Sequence, residues 1–324
     1  MNQEKTANSA SPKKRAVWPS LVKKDFRQNW GLYIMILPVL AFYIIFCYVP
    51  MYGAVIAFKN YSTRLGILAS PWAEPFYKHF QTFFSMPYFK RLMVNTLTIS
   101  INTLIWGFPA PILLALLINE LKNKTFTKIT QTITYLPYFI SMVVICGMIK
   151  TFTNSDGFIN DIIALFGGER VTMLSKPSYF VPVYVISDIW QSVGWGSIIY
   201  LSALAGIDQE LYEAARIDGA GRWRQTWHIT IPGILPTIII LLILRVGGLL
   251  NVGYEKIILL YNPATYQKAD VISSYVYRYG LGGDGGANPW SFSTAVGLFN
   301  SVINFVLIII TNKISRAVSD TSLW

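Results

Sequence analysis

Two charged residues, Asp188 and Arg245, lie inside stretches of sequence that are otherwise apolar. A charge at the centre of a membrane-spanning helix costs about 2.5–3.5 kcal/mol on insertion scales, so such residues usually face a protein interior or a wet cavity. On a helix, Asp188 shares one face with Gln191 and Trp195. A carboxylate and an amide bind sugar hydroxyls, and an aromatic ring packs on sugar C–H groups. We therefore predict that this face lines a pathway for a sugar.

Arg245 has two interpretations that the sequence leaves open. Either it forms a purely structural ion pair with Asp188, or its guanidinium fork neutralises the carboxylate of an acidic sugar. Asn251, Asn300 and Asn304 are further candidates for the pathway. Polar stripes of this kind equally serve as hydrogen bonds that hold helices together.

The motifs of common catalytic and nucleotide-binding sites are absent from the sequence. The chain has no GxxxxGK[ST] phosphate-binding loop, no HExxH and no GxSxG. Its two histidines, His79 and His228, fall in predicted loops on opposite sides of a membrane, so they cannot share a metal ion. We expect no metal, cofactor or enzymatic activity in this chain, and we expect His79 on the surface of an outer loop.

The composition indicates a membrane protein. Of the 324 residues, 53% are hydrophobic and only 13% are charged, which is too few charges for the surface of a soluble domain of this size. The formal net charge of +11 does not indicate a nucleic-acid-binding protein, because the basic residues are dispersed over short loops. We expect contact with membrane lipid and none with nucleic acid.

Six stretches are long and apolar enough to cross a bilayer as helices, which takes about 20 residues each. The sequence therefore predicts an all-α, polytopic membrane protein. A basic N-terminal segment, 1–29, precedes a transmembrane domain, 30–318, and a tail, 319–324. The predicted spans are about 31–52, 95–118, 131–150, 179–204, 231–252 and 291–311.

The distribution of basic residues orients these spans. An even number of spans places both termini on one side of the membrane. Lysine and arginine are more numerous in the segments that share that side, which favours cytoplasmic termini. This orientation places the segment 208–230 in the cytoplasm and three longer loops, at about 59–91, 150–178 and 255–290, outside.

The cytoplasmic segment 208–230 has a helix–turn–helix pattern. A short helix is predicted from Leu211 to Ile217, and the dipeptide Asp218-Gly219 predicts a turn in which glycine adopts a positive φ. A second short helix follows, and Pro232 fits the first turn of the fifth span.

Two tryptophans make this segment a candidate docking element. Trp223 and Trp227 lie one helical turn apart, which suits them to anchor a helix in a groove of another protein. On the residues alone, an amphipathic connector lying on the inner membrane face explains the same pattern.

The segment resembles the EAA signature of the permease subunits of ATP-binding-cassette importers, in which Glu-Ala-Ala is followed at fixed spacings by Gly, Ile, Leu and Pro. The matching residues are Glu213, Ala214, Ala215, Gly219, Ile229 and Pro232. Ile231 replaces the usual leucine. The resemblance implies that this loop, with Asp218, Trp223 and Trp227, docks in a cleft of an ATPase subunit and transmits its nucleotide-driven movement.

Four further segments resemble the oligosaccharide branch of these importers, which includes aldouronate-type and alginate permeases: 51–61, 250–256, 261–266 and 269–277. The resemblance implies a type I importer permease fold in the cytoplasmic membrane of a prokaryote. It also implies a second similar permease, two ATPase subunits that bind ATP and Mg²⁺, and an external solute-binding protein that delivers an oligosaccharide.

A secondary transporter driven by an ion gradient is the main alternative from another class. It calls for discontinuous helices with ion-binding carboxylates in corresponding halves, and only Asp188 qualifies. A membrane enzyme is a more distant alternative, because the sequence contains no catalytic constellation.

Overall fold

The computed structural model describes residues 25–280, 288–318 and 322, and helices dominate these residues. The α-helices are α1 Trp30–Phe42, α2 Val49–Met51, α3 Gly66–Ala69, α4 Lys78–Ser85, α5 Phe89–Gly107, α6 Pro109–Asn119, α7 Lys124–Tyr135, α8 Met142–Phe152, α9 Phe158–Leu165, α10 Pro177–Ala205, α11 Gln209–Ile217, α12 Arg222–Gln225, α13 Ile231–Gly247, α14 Tyr254–Leu260, α15 Tyr266–Ala269, α16 Ile272–Gly280 and α17 Pro289–Val318. Segments of 3₁₀ or π geometry are Tyr43–Tyr48, Tyr52–Phe58, Leu136–Phe139, Met173–Ser175 and Thr226–Thr230.

The chain divides after Val55 into two units. In the first unit, α1, a π segment and α2 follow one another without a break. Their large apolar side chains, from Leu32 to Tyr52, are exposed, as is typical of a helix surrounded by lipid. The second unit contains helices α3 to α17.

Four helical stretches of the described chain are long and apolar enough to cross a membrane: Trp30–Phe58, Phe89–Asn119, Arg222–Gly247 and Pro289–Ala317. The pair α7–α8 makes a fifth if its two bent halves form one span. The remaining predicted span, 179–204, overlaps α10, which has 29 residues and is long enough to cross. Its serines, Asp188 and Gln191 make it less apolar than the others.

The third predicted span, 131–150, is sharply bent. Its two halves meet at 101° between Phe139 and Met142. Pro137 lies in the 3₁₀ turn that ends the first half, and Ser141 begins the second half, accepting a hydrogen bond from the Val144 amide at 3.5 Å. The fifth predicted span, 231–252, also differs, because α13 ends at Gly247 and the next helix begins at Tyr254.

Helix α10 is packed on several sides by other helices, which accounts for its polar residues. Phe180, Tyr184 and Val185 belong to one buried apolar cluster, and Tyr200 and Leu204 belong to another. Between them, Gly194 lies so close to α7 that an added Cβ would be 2.0 Å from the Thr134 carbonyl oxygen. A polar group on this helix therefore meets protein rather than lipid.

A third apolar cluster fixes the ends of α4, α5, α16 and α17. It consists of Phe83, Leu92, Ile272, Phe292 and Val296. The prediction that His79 is a surface residue is wrong. Its side chain is 4% exposed, and its Nε2 lies 3.0 Å from the Lys59 carbonyl oxygen. Burial lowers the pKa of His79, which keeps the ring neutral at pH 7.

Candidate functional site

A cavity of about 430 Å³ lies among α5, α10, α13 and the segment that follows α13. It is called the central cavity here. Its polar and charged lining residues are Ser100, Thr103, Tyr184, Asp188, Arg245, Asn251, Glu255 and Lys256. Three of these are candidates named from the sequence: Asp188, Arg245 and Asn251. The cavity therefore combines both signs of charge with hydroxyl and amide groups, as a polar solute requires.

Asp188 is paired with Lys256 and not with Arg245. The Lys256 Nζ lies 3.4 Å from the Asp188 Oδ1, and the lysine side chain is 3% exposed. Lys256 also donates to the Tyr184 carbonyl oxygen at 3.3 Å. Of the two interpretations left open for Arg245, the structural ion pair with Asp188 is not formed among the described residues, where the buried lysine is the partner of that carboxylate. A buried charge requires such a partner.

Arg245 and Glu255 line the same cavity with exposed side chains. Within residues 25–280 and 288–318, neither forms an ion pair within 4 Å. Because Lys256 compensates Asp188, these two are the charges of the lining that are available to a solute. A guanidinium binds a carboxylate in a forked geometry, and a carboxylate accepts hydrogen bonds from hydroxyls.

Two hydroxyl groups of α5 add to the polar wall. The Ser100 and Thr103 oxygens are buried and have no hydrogen-bond partner in the described structure. Both residues line the central cavity and lie three positions apart on one helix face. A buried hydroxyl without a partner is costly, so these groups suit a bound water or solute.

Gln191 and Trp195 do not join Asp188 at the cavity. Trp195 stacks on Tyr138 with the ring centroids 4.7 Å apart and the planes 5° apart, and Phe139 contacts its edge. These contacts hold α10 against the bend between α7 and α8. Gln191 and Trp195 follow Asp188 on one face of α10, and the lining of the cavity on this helix ends at Asp188.

Of the three asparagine candidates, Asn251 lines the central cavity, whereas Asn300 and Asn304 lie on the neighbouring helix α17. The Asn304 amide donates to the Asn251 Oδ1 at 2.9 Å, and the Asn304 Oδ1 accepts from the Leu250 amide at 3.2 Å. Asn304 thereby fastens α17 to the segment after α13. Asn300 lies one turn earlier on α17, and its Oδ1 is buried without a hydrogen-bond partner among the described residues.

The second candidate site is the segment 208–230. Asp208 caps α11 by accepting from the Glu210 amide at 3.0 Å. The helix ends at Ile217, and Gly219, two residues later, has a φ of +76°, which confirms the predicted turn. The Gly219 amide donates to the Arg216 carbonyl at 3.1 Å, and the Ala220 amide donates to the Ala215 carbonyl at 2.8 Å. This pattern is a Schellman motif, in which glycine is favoured.

The second half of the segment is continuous with the fifth span. Residues Arg222 to Gly247 form one helical stretch, in which Pro232 occupies the first turn of α13. The Tyr212 hydroxyl lies 3.0 Å from the Thr230 Oγ1. The Gln225 side chain donates to the Ala220 carbonyl at 2.7 Å. The loop is thus tied to the base of α13, whereas the sequence predicted a separate short helix.

The outer surface of this segment carries large apolar side chains. Ile217, Trp223 and Trp227 are 87%, 80% and 63% exposed. Glu213, Ala214, Asp218 and Gly219 are exposed beside them, and Ala215 is half-buried. Exposed tryptophans next to small residues are typical of a protein-interaction surface.

Sequence reasoning missed Lys256, Glu255, Ser100 and Thr103. Lys256 and Glu255 fall in a segment that hydropathy assigns to an outer loop, and the two hydroxyl residues are not charged. The nearest signal was an unpaired Asp188, which requires a buried cation from some other element. In the described part of the chain, no group of three or more His, Cys, Asp or Glu residues is arranged to hold a metal ion.

Comparisons with known proteins agree with this architecture. Residues 107–320 match the family described as binding-protein-dependent transport system inner membrane component. Protein LplB of Bacillus subtilis is 42% identical over 95% of this chain and 94% of its own length. The polygalacturonan/rhamnogalacturonan transport system permease protein YteP of the same organism is 40% identical over 99% of this chain and all of its own length.

Solved structures also resemble the chain. A crystal structure of a bacterial alginate ABC transporter, in complex with a periplasmic protein that holds an alginate pentasaccharide, contains a chain that is 44% identical. The two superpose with a TM-score of 0.82 over 93% of this chain and 99% of the other. A second structure, of a bacterial ABC transporter that imports the acidic polysaccharide alginate, gives a TM-score of 0.81.

Proposed function

The chain belongs to the family of binding-protein-dependent transport system inner membrane components, and from this premise we propose that it is a permease subunit for an acidic oligosaccharide. Together with a second, similar permease, it forms the translocation pathway in the cytoplasmic membrane of a prokaryote. Both termini are cytoplasmic. An extracytoplasmic solute-binding protein delivers the sugar, and two separate ATPase subunits bind ATP and Mg²⁺ and supply the energy.

The observation that carries the proposal is the Arg245 side chain in the central cavity. It lines the cavity without an ion pair to any residue that the structure describes, while Lys256 compensates the carboxylate of Asp188. Arg245 thus has its guanidinium available for a carboxylate of the sugar. The named polygalacturonan and alginate systems among the similar proteins handle uronate polymers, which supports an acidic substrate for this chain. Glu255, Ser100 and Thr103 bind sugar hydroxyls.

The segment 208–230 couples this pathway to the ATPase. Trp223 and Trp227 anchor the segment in a cleft of the ATPase subunit, and Glu213, Ala214 and Ala215 form the adjoining contact. Trp223 and Arg245 lie on one continuous helical stretch, about 33 Å apart at 1.5 Å per residue. A displacement of the docked loop therefore moves the wall of the central cavity directly. The chain itself performs no catalysis.

Uptake by proteoliposomes that contain the complete transporter tests the substrate class. We expect Arg245→Gln to reduce uptake of an oligogalacturonate by about tenfold, because a charge-assisted hydrogen bond is lost. Uptake of a neutral galacto-oligosaccharide of equal length serves as the reference and stays low in both proteins. Arg245→Lys retains the positive charge but loses the forked geometry of the guanidinium, and we expect an intermediate rate of oligogalacturonate uptake.

Two outcomes contradict the proposal. Equal losses for the acidic and the neutral sugar in Arg245→Gln mean that Arg245 has no part in charge recognition. Uptake that continues after the ATPase subunits are omitted indicates an ion-gradient-driven transporter instead.

A further inference from the structure

The short helix α9 presents large apolar side chains to the surface. Phe158, Leu165 and Phe166 are 63%, 84% and 88% exposed, and Ile162 is 39% exposed. These positions follow the spacing i, i+4, i+7 and i+8, so they form one stripe along the helix and its last residue. The four side chains are called the α9 stripe here. None of them lines the central cavity, and none was a candidate in the sequence analysis.

The opposite face of α9 is fixed to the protein by a buried asparagine. Asn160 is fully buried, and its Nδ2 donates to the Asn154 and Val171 carbonyl oxygens at 2.6 and 2.9 Å. Its Oδ1 accepts from the Val171 amide at 3.0 Å. A rotation of the helix that turned the stripe inward would break these hydrogen bonds and leave buried polar groups without partners. The stripe therefore faces outward for a structural reason.

Glycines define both ends of this helix. An added Cβ at Gly157 would lie 2.3 Å from the Thr151 carbonyl oxygen, so a side chain would clash there. At the other end, Gly167 has a φ of +79°, and the Gly168 amide donates to the Ile163 carbonyl oxygen at 2.9 Å. This hydrogen bond belongs to a Schellman motif, which ends a helix. The sequence therefore specifies a short helix with an outward apolar stripe.

Helix α9 lies at the level where two neighbouring helices end. Helix α8 ends at Phe152, and just beyond it the Met173 amide donates to the Thr153 carbonyl oxygen at 3.0 Å. This hydrogen bond holds the end of α8 beside the start of α10. Helix α10 is about 43 Å long at 1.5 Å per residue, and its other end leads into the segment 208–230. Helix α9 is therefore at the membrane surface opposite to that segment.

The α9 stripe continues an apolar surface of α8. The Phe152 and Phe158 rings lie in contact, with their centroids 6.4 Å apart. Val144 and Phe152 lie about two helical turns apart on one face of α8, and both are exposed. The pair α7–α8 is apolar enough to cross the membrane, and in a protein of the inner membrane the exposed apolar side chains of a span face lipid. The stripe thus extends a lipid-facing surface to the end of the span.

We propose that α9 is an interfacial anchor, which lies flat on the bilayer with its stripe below the lipid headgroups of the leaflet opposite to the segment 208–230. Taking roughly 200 Å² for a whole side chain, the stripe exposes about 500 Å². A stable protein interface buries about 800 Å² per partner and has a polar rim. Asp161, at the edge of the stripe, pairs with Arg170 at 2.6 Å, and both are exposed, so these charges stay in the headgroup water. The inference is independent of the transported sugar.

The test places a fluorescent probe on the stripe in the complete transporter. The transporter is made free of other cysteines, which in this chain requires Cys47→Ala and Cys146→Ala. Leu165→Cys is then labelled with the dye NBD and reconstituted in phosphatidylcholine nanodiscs without the solute-binding protein. We expect lipids with a doxyl group near the headgroup to quench the dye about twofold more than lipids with doxyl at the chain end. We expect little quenching by aqueous iodide.

A control position and a second stripe position complete the design. Glu169→Cys carries the dye on an exposed charged residue just beyond the same helix, and we expect iodide to quench it and doxyl lipids to leave it bright. Phe166→Cys repeats the measurement on the stripe, and we expect the same result as for Leu165→Cys. Both stripe residues are more than four-fifths exposed, so these substitutions remove little internal packing.

Three outcomes overturn the inference. Strong quenching by iodide at both stripe positions means that the stripe faces water. Protection from iodide and from doxyl lipids alike means that protein, such as the second permease, covers it. Iodide access that is lost only when the solute-binding protein is added means that the stripe is a contact surface for that protein. Quenching by shallow doxyl lipids, unchanged when the solute-binding protein is added, supports the anchor.

Discussion

Asp188 and Lys256 form an ion pair in the wall of the central cavity, and only Asp188 could be recognised as unusual from the sequence. Asp188 stands out because it is charged within an apolar stretch. Lys256 does not, because it lies in a polar segment and becomes buried only through contact with α10, 68 positions away. The pair leaves Arg245 as the cation of the lining that has no ion pair in the described structure. Long-range packing therefore decides which charge meets the solute.

At the scale of single residues, we predict that this pair is energetically coupled. Asp188→Asn leaves the Lys256 charge buried without a counter-charge, which costs about 3–5 kcal/mol for a buried pair. The double variant Asp188→Asn/Lys256→Met removes both charges, and we expect it to recover most of that loss. Thermal unfolding of the purified protein in detergent measures the difference.

Lys268→Met provides the matched control, because Lys268 is an exposed lysine in the same part of the chain. We expect its unfolding midpoint to equal that of the wild type. If the double variant is as unstable as the sum of its two single variants, the two charges are not coupled and the ion pair has no stabilising role.

At the scale of elements, the turn between α11 and α12 depends on backbone geometry. Gly219 has a φ of +76°, whereas Gly221 has a φ of −68°, and an added Cβ meets nothing within 4 Å at either position. We predict that Gly219→Ser lowers the sugar transported per ATP hydrolysed several-fold, because a left-handed residue with a side chain costs about 1–2 kcal/mol and the turn shifts. Proteoliposomes with the complete transporter provide the measurement.

Gly221→Ser is the matched control for this turn. Serine is a favoured residue at the start of a helix, and the φ of Gly221 is open to any residue. We expect wild-type coupling in this variant. If Gly219→Ser and Gly221→Ser transport the same amount of sugar per ATP hydrolysed, the positive φ of Gly219 has no role in coupling ATP hydrolysis to transport.

Elements were predictable from the sequence where the cause is local. Apolar length located the four stretches that the described structure shows as long apolar helices, and Asp218-Gly219 located the turn. The bend at 140–141 was not predicted, because it depends on a serine cap and on the stacking of Trp195 against Tyr138 from another helix. For the same reason, the helical spacing correctly placed Gln191 and Trp195 on one face with Asp188 but did not reveal that the cavity ends before them.

At the scale of the whole molecule, one stretch from Arg222 to Gly247 joins the segment 208–230, called the docking segment here, to the central cavity. Arg245 lies near one end of this stretch, and Trp223 lies near the other. The Tyr212–Thr230 contact of 3.0 Å fixes the docking segment at its base. The stretch is helical throughout, with a π segment at Thr226–Thr230, and under the proposed function we expect a force on the loop to reach the cavity wall along it.

We predict that weakening the middle of helix α13 uncouples transport from ATP hydrolysis. Ile239 and Ile240 lie in the middle of α13 and are half-buried. Replacing both by glycine or both by alanine removes nearly the same packing, but each glycine weakens the helix by about 1 kcal/mol relative to alanine. We expect the double-alanine variant to transport nearly as much sugar per ATP as the wild type. In the double-glycine variant we expect this ratio to fall several-fold while the rate of ATP hydrolysis is unchanged. Equal ratios of sugar to ATP in the two variants would mean that force reaches the cavity by another element, such as the packed helix α10.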